Sequence, residues 1–201
     1  HREHPRADAE RGVSAIAADP FIIAISGKSG CGNSTVSRLL AERLGFRLVN
    51  YTLRNMARER FPELPETEAL AKVLELAKTD DSWDRSLDSR QAELAREGDS
   101  VVGSRLAAWV VPEADLKVYL SGSVEARAGR IHFREGGSPA EKLAFTAERD
   151  SSDHARYLEL YGIDNDDYRF CDLVINTERF GAEEEVELIV AAARLKRARK
   201  G

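Results

Sequence analysis

Nine residues, Gly27-Lys28-Ser29-Gly30-Cys31-Gly32-Asn33-Ser34-Thr35, separate an apolar run from an amphipathic one. Before them, Phe21-Ile22-Ile23-Ala24-Ile25-Ser26 has the β-branched, apolar character of a buried strand. After them, Val36, Leu39, Leu40 and Leu44 recur at helical spacing. A strand that turns through three glycines into a helix brings several backbone amides together, because glycine accepts positive φ and lets a ligand approach the chain closely. The helix N-terminus adds a positive dipole to the same spot. This is the setting of a phosphate-binding loop, whose template is G-x-x-x-x-G-K-[ST]. Gly27, Gly32 and Ser34 fall in register, and the Ser34 hydroxyl, with Thr35 beside it, is placed for Mg²⁺. Asn33 stands where the template has lysine; it can donate hydrogen bonds but cannot neutralise charge. The loop's lysine is instead Lys28, directly after the first glycine. Two readings of Lys28 stay open: it folds back over the loop to supply the cation, or it is a solvated turn residue.

The remaining chain supports an α/β domain. Apolar runs at Phe46 to Asn50, Ser100 to Ser104, Leu116 to Ser121 and Leu173 to Thr177 join the first to give five expected strands separated by helical sequence. That alternation predicts a parallel sheet covered by helices on both faces, with every strand-to-helix loop at one edge. Between the second and third strands, residues 52–98 form a helical insertion. Thr52 caps a helix running through Arg60, Leu70, Val73, Leu74 and Ala77 make the apolar stripe of a second, and a third runs from Asp84 or Ser86 to Glu97. After the fourth strand, Val124 to Phe133 reads as a helix that stops near Gly136-Gly137, and Ser138-Pro139-Ala140-Glu141 opens another. Residues 131–140 thus have the size of a small lid. A terminal amphipathic helix runs from Glu183 to Lys200. Residues 1–19 are polar and read as a loose extension or a tag, leaving 20–201 as one domain.

A net charge of −5 on 201 residues offers no basic surface for nucleic acid. No apolar run nears the ~20 residues that span a bilayer. Two cysteines, Cys31 and Cys171, are too few for a disulfide framework and point to a reducing, cytoplasmic setting. Arginines cluster instead. Arg127 and Arg130 share a helix face, Arg134 sits by the lid glycines, and Arg149 and Arg156 share a face of the returning helix. Arg105 follows the third strand and Arg54 lies on the first insertion helix. Guanidinium suits bidentate phosphate recognition, and phosphoryl transfer is mostly positioning and charge neutralisation.

In order and spacing, several stretches resemble a known family. They are Arg54-Asn55-Met56-Ala57, Leu87-Asp88-Ser89-Arg90-Gln91, Ser104-Arg105-Leu106-Ala107-Ala108-Trp109, Ala114 to Leu120, Glu148-Arg149-Asp150, Tyr157 to Asp164 and Asp172 to Thr177. The chain is similar, from about Phe21 to Phe180, to the short cytidylate kinases of archaea and some bacteria, within the nucleoside monophosphate kinases. The resemblance implies a three-layer P-loop kinase fold with a monophosphate-binding insertion and a lid. It implies an enzyme that moves the γ-phosphoryl of ATP, with Mg²⁺, to CMP or dCMP, which we expect to be a cytoplasmic monomer. By the same resemblance Arg54 and Arg105 hold the acceptor phosphate, and Asp153 and Arg156 read the cytosine edge and the acceptor. The resemblance also implies that Arg127 lies against the donor adenine and that Arg130 and Arg149 clamp the transferring phosphoryl; apart from the resemblance, the fold-back reading makes Lys28 a further catalytic candidate. The short branch often lacks the loop lysine. This chain departs further in having Gly103 where an acidic residue is common, and in a shortened turn at Val49 to Arg54. Two alternatives therefore stand beside the kinase: a nucleotide-binding protein with weak or lost transfer activity, and a kinase for another small acceptor.

Overall fold

The computed structural model describes residues 19–200, and the reading of the preceding stretch as an extension or tag lies outside them. Five strands form one parallel sheet: β1 (Ile22–Gly27), β2 (Arg47–Val49), β3 (Ser100–Gly103), β4 (Leu116–Ser121) and β5 (Leu173–Asn176), in the order β2-β3-β1-β4-β5. The period of two along β1 explains the layering. Ile23 and Ile25 enter one core with Val101, Val118, Leu120, Val36, Leu40 and Ile189, whereas Ile22 and Ala24 enter another with Val49, Val102, Ala92, Ala95 and Val111. The first core is roofed by α1 (Asn33–Leu44) and α8 (Ala182–Lys200), the second by α4 (Ser82–Ala95) and the short α5 (Ala107–Val110). Helices on both faces explain why the central strand β1 is buried along its whole length. Each fully buried Ile or Leu contributes roughly 1.5–3 kcal/mol.

The insertion comprises α2 (Leu53–Arg60), α3 (Glu66–Ala77) and α4. Thr52 caps α2 reciprocally with Asn55, as its sequence suggested. In α3 the buried stripe is Ala69 and Val73, packed with Phe61 and Trp83, while Leu74 is 47% exposed. The expected stripe was therefore rotated by about one residue: small Ala69 lets α2 and α3 approach closely and carries Leu74 out of the contact. The third helix also starts earlier, at Ser82. The segment expected as a lid is the junction of α6 (Val124–Glu135) and α7 (Pro139–Tyr161), where Gly136 and Gly137 hold φ of 71° and 89° and Ser138 caps α7.

The chain order places β1 between strands reached in opposite directions. The first crossover leads outward to β2 and the third strand fills the gap, whereas the connection after β3 passes to β4 on the other side. The carboxyl ends of β1 and β3 flank this reversal, where open α/β sheets bind ligands.

Candidate active site

A cleft of about 730 Å³ opens at those strand ends. Its floor is Gly27 to Thr35, and its far wall is Arg54, Arg105, Arg156, Tyr157 and Tyr161, with Asp84, Asp88 and Gln91 from α4 and Arg134 from the lid. The loop's shape follows from its residues. A Cβ on Gly27 would lie 2.5 Å from Cys31 Sγ and 2.7 Å from the Leu120 carbonyl, so the strand end admits only glycine. Gly30 has φ of 82°, and a Cβ there would meet the Arg127 carbonyl at 2.7 Å. Gly32, at φ 92°, begins α1 without a side-chain cap. Thr52, Ser123 and Ser138 all cap their helices. The first amides of α1 are thus left for a ligand, and the helix dipole favours an anion there.

Two arginines hold the loop from behind. Arg127 donates from Nη1 to the Ser29 carbonyl at 3.0 Å and from Nε to the Gly122 carbonyl at 3.0 Å, and pairs bidentately with Asp150. Its side chain is only 4% exposed. Arg130 donates from Nη1 to the Gly30 carbonyl at 3.3 Å and to Thr177 Oγ1 at 2.9 Å, and from Nη2 to the Thr177 carbonyl. These bonds fix the Ser29 and Gly30 carbonyls, and the Cys31 N–H donates to the Lys28 carbonyl at 3.1 Å, so the loop's turn is held from both sides. The resemblance had Arg127 lie against the donor adenine. Its guanidinium braces the loop through these partners, and the same residue lines a small cavity of about 120 Å³ with Lys28, Tyr119 and Tyr168. Arg130 likewise sits behind the loop, and Arg149 lies part-exposed on α7 without an ion pair among the described residues.

Asn33 is also fully engaged. Nδ2 donates to the Ile25 carbonyl at 2.8 Å and the Ser104 carbonyl at 3.2 Å, while Oδ1 accepts from Ser37 Oγ at 2.9 Å. Lys28 lies at the loop's other end, with Nζ 2.6 Å from Asp166 Oδ1. Asp166 belongs to the 162–172 loop beside His154, whose Nδ1 is 2.8 Å from Asn165 Oδ1. Lys28 is therefore neither folded over the loop nor freely solvated. Burial pushes the Cys31 thiol up, which leaves it an inert packing residue beneath Gly27.

On the far wall, Arg105 pairs with Asp153 at 3.1 Å and Arg156 pairs with Asp84. Arg54, more than half exposed, pairs with Glu66 at 2.6 Å. Asp153 thus stands behind Arg105, while Arg54, Arg105 and Arg156 reach the cleft. Neither Tyr157 and Tyr161 nor the α4 acids stood out in the sequence as site residues. Both tyrosines line the cleft, and Tyr161 donates to Asp88. Burial raises Asp88 above the usual carboxylate range, with the Tyr161 hydroxyl working against the shift. The available signal was the spacing of Asp84, Asp88 and Gln91, which puts all three on one helical face.

Ser34 is exposed on the first turn of α1 and lines the cleft. Mg²⁺ keeps most of its ligands as water and phosphate oxygens, so one hydroxyl at the phosphate-facing helix end fits its needs.

Comparison with known proteins agrees with this geometry. A family described as the cytidylate kinase-like family matches residues 22–179. Cytidylate kinase 2 of Borreliella afzelii is 45% identical over 168 residues, covering 83% of this chain and 93% of that protein. Cytidylate kinase of Pyrococcus horikoshii is 39% identical over 176 residues, covering 87% and 88%. Among solved structures, a gluconokinase from Sinorhizobium meliloti superposes with a TM-score of 0.52 at 20% identity, over 89% of this chain and 95% of that one, which bears on the fold alone. The loop, its strand–helix setting and the match over nearly all described residues establish that the chain belongs to the cytidylate kinase-like family of P-loop phosphotransferases.

Proposed function

We propose that the protein transfers the γ-phosphoryl group of ATP to CMP or dCMP, giving ADP and the cytidine diphosphate, as a cytoplasmic monomer. The observation that carries this reading is one cleft in which an uncapped, amide-rich helix start faces Arg54, Arg105 and Arg156. The loop amides hold the donor phosphates. Arg105 and Arg54 hold the acceptor phosphate, and Arg156, beside Asp84, lies at the acceptor's end of the cleft. An oxygen of the acceptor phosphate attacks the γ-phosphorus, and the bond to the β–γ bridging oxygen breaks. The nucleophile is already anionic, so no protein general base is required. The Ser34 hydroxyl would hold a Mg²⁺ ion, which would supply charge neutralisation to the transferring group. The lid's two glycines allow α6 and α7 to close Arg134 and Arg149 onto the donor phosphates, excluding water that would hydrolyse ATP.

A steady-state assay with Mg-ATP and each of the four monophosphates tests this reading. Diphosphate from CMP or dCMP is the expected product, and its absence overturns the proposal. The engagement of Asn33 and Lys28 within the protein favours one rival, a binding protein without transfer. A rise in melting temperature with CMP but no turnover would be its signature.

A further inference from the structure

The lysine missing at position 33 and the carboxylate missing at position 103 are one structural feature. The β1–β3 ladder ends where Ser104 N donates to the Ile25 carbonyl at 3.1 Å. Asn33 Nδ2 then reaches that same carbonyl and the carbonyl of Ser104, adding a side-chain rung across the ends of both strands. Ser37, one helical turn on, fixes the amide's orientation through Oδ1. The rung exists because position 103 is empty of side chain: a Cβ on Gly103 would lie 2.6 Å from Asn33 Oδ1 and closer still to Ser37 Oγ. An asparagine has two N–H donors, and both point at carbonyls. None is left for a phosphate. The residue pinned by the rung, Ser104, immediately precedes Arg105.

We infer that Asn33 is a positioning residue for the acceptor site: standing in the donor loop, it fixes the Ser104 carbonyl and with it the direction in which Arg105 leaves β3. The inference rests on the proposed role of Arg105 toward the acceptor phosphate. It makes the donor loop and the acceptor arginine one rigid unit, so a lesion in the ATP loop should be felt by CMP. A displacement near 1 Å in such a unit costs up to about 100-fold in rate.

The experiment is calorimetric titration of the full chain with CMP and, separately, with a non-hydrolysable ATP analogue, alongside KM and kcat for both substrates. Asn33→Asp keeps the size and the Ser37 bond but opposes a carboxylate to two carbonyls. It should weaken CMP binding about tenfold, raise the KM for CMP likewise, and change binding of the ATP analogue by less than about threefold. Gly103→Ala, which displaces Asn33, should reproduce that pattern, and Ser37→Ala should give a weaker version of it. These two variants carry the test if Asn33→Asp does not fold. Weakened ATP-analogue binding with CMP binding intact would make Asn33 a phosphate ligand and overturn the inference, as would variants that bind both ligands like the wild type. If the wild type itself neither binds nor phosphorylates CMP, the acceptor reading fails first. If it binds CMP and the variants bind it equally, only the positioning role fails.

Discussion

The two walls of the cleft, donor and acceptor in the proposed function, are built by opposite means. On the donor side, the loop is anchored by buried and half-buried groups: Arg127 with Asp150 and Arg130 with Thr177. On the acceptor side, the insertion rests on a small apolar cluster around Ala57, Ala69 and Val73, and its arginine Arg54 is held by an exposed ion pair. Buried ion pairs resist loss of one partner strongly, whereas exposed pairs contribute little. The donor wall is therefore pre-shaped and the acceptor wall adjustable, as a reaction needs when it must hold phosphates rigidly yet admit and release a second nucleotide.

The contrast is broken most severely by removing the anchor's acid. Asp150→Ala leaves the nearly buried Arg127 guanidinium without its counter-ion. It should cost about 3 kcal/mol of stability and weaken ATP binding, measured by urea unfolding and nucleotide titration. A loss within error of that from an exposed acid would mean that the donor wall is not anchored by burial.

Lys28 comes next. Its ammonium is held by Asp166 at the edge of the loop, and that pair must open if Lys28 is to meet the transferring phosphoryl. Lys28→Ala should then lower kcat on the order of 100-fold while leaving CMP binding within about twofold. Wild-type turnover in the variant would show that the neighbouring arginines supply the positive charge without it.

Much of this architecture was legible in the sequence, and the part that was not has a consistent cause. The strands showed because burial on both faces demands unbroken apolar runs, and the α2 and α7 starts showed because Thr52 and Ser138 act on their own next few residues. The arginines did not sort themselves. Arg127 and Arg105 look alike as letters, and only tertiary packing puts one behind the loop and the other before it. Asn33 and Gly103, seventy residues apart by number, read as two deficits until the fold brought them into contact. Local chemistry was readable; pairings between distant segments were not.

A pH experiment sharpens the contrast further. Burial beneath the donor wall raises the Glu185 carboxyl to about 7, with Arg130 working against the shift. Across the intervening pH range the folded chain holds a proton that the unfolded chain has released. The stability from this group is thus full below the ordinary carboxylate range and is lost as pH rises through about 7. Glu185→Gln should flatten that slope and gain on the order of 1–2 kcal/mol at mildly alkaline pH, read by thermal unfolding across a pH series. An unchanged slope would place the titration elsewhere.

The smallest effect belongs to the exposed pair on the acceptor wall. Glu66 holds Arg54 by a solvent-facing contact, and the hydrogen bond lowers the Glu66 carboxyl. Such a pair adds almost nothing to stability, so Glu66→Gln should leave the melting temperature unchanged. Its consequence lies in binding. An arginine that must leave a carboxylate before meeting a phosphate loses part of its attraction, and freeing it should lower the KM for CMP by roughly twofold, less at high salt. A melting temperature that drops instead would show that Arg54 and Glu66 hold α2 to α3, making the acceptor wall as fixed as the donor wall opposite it.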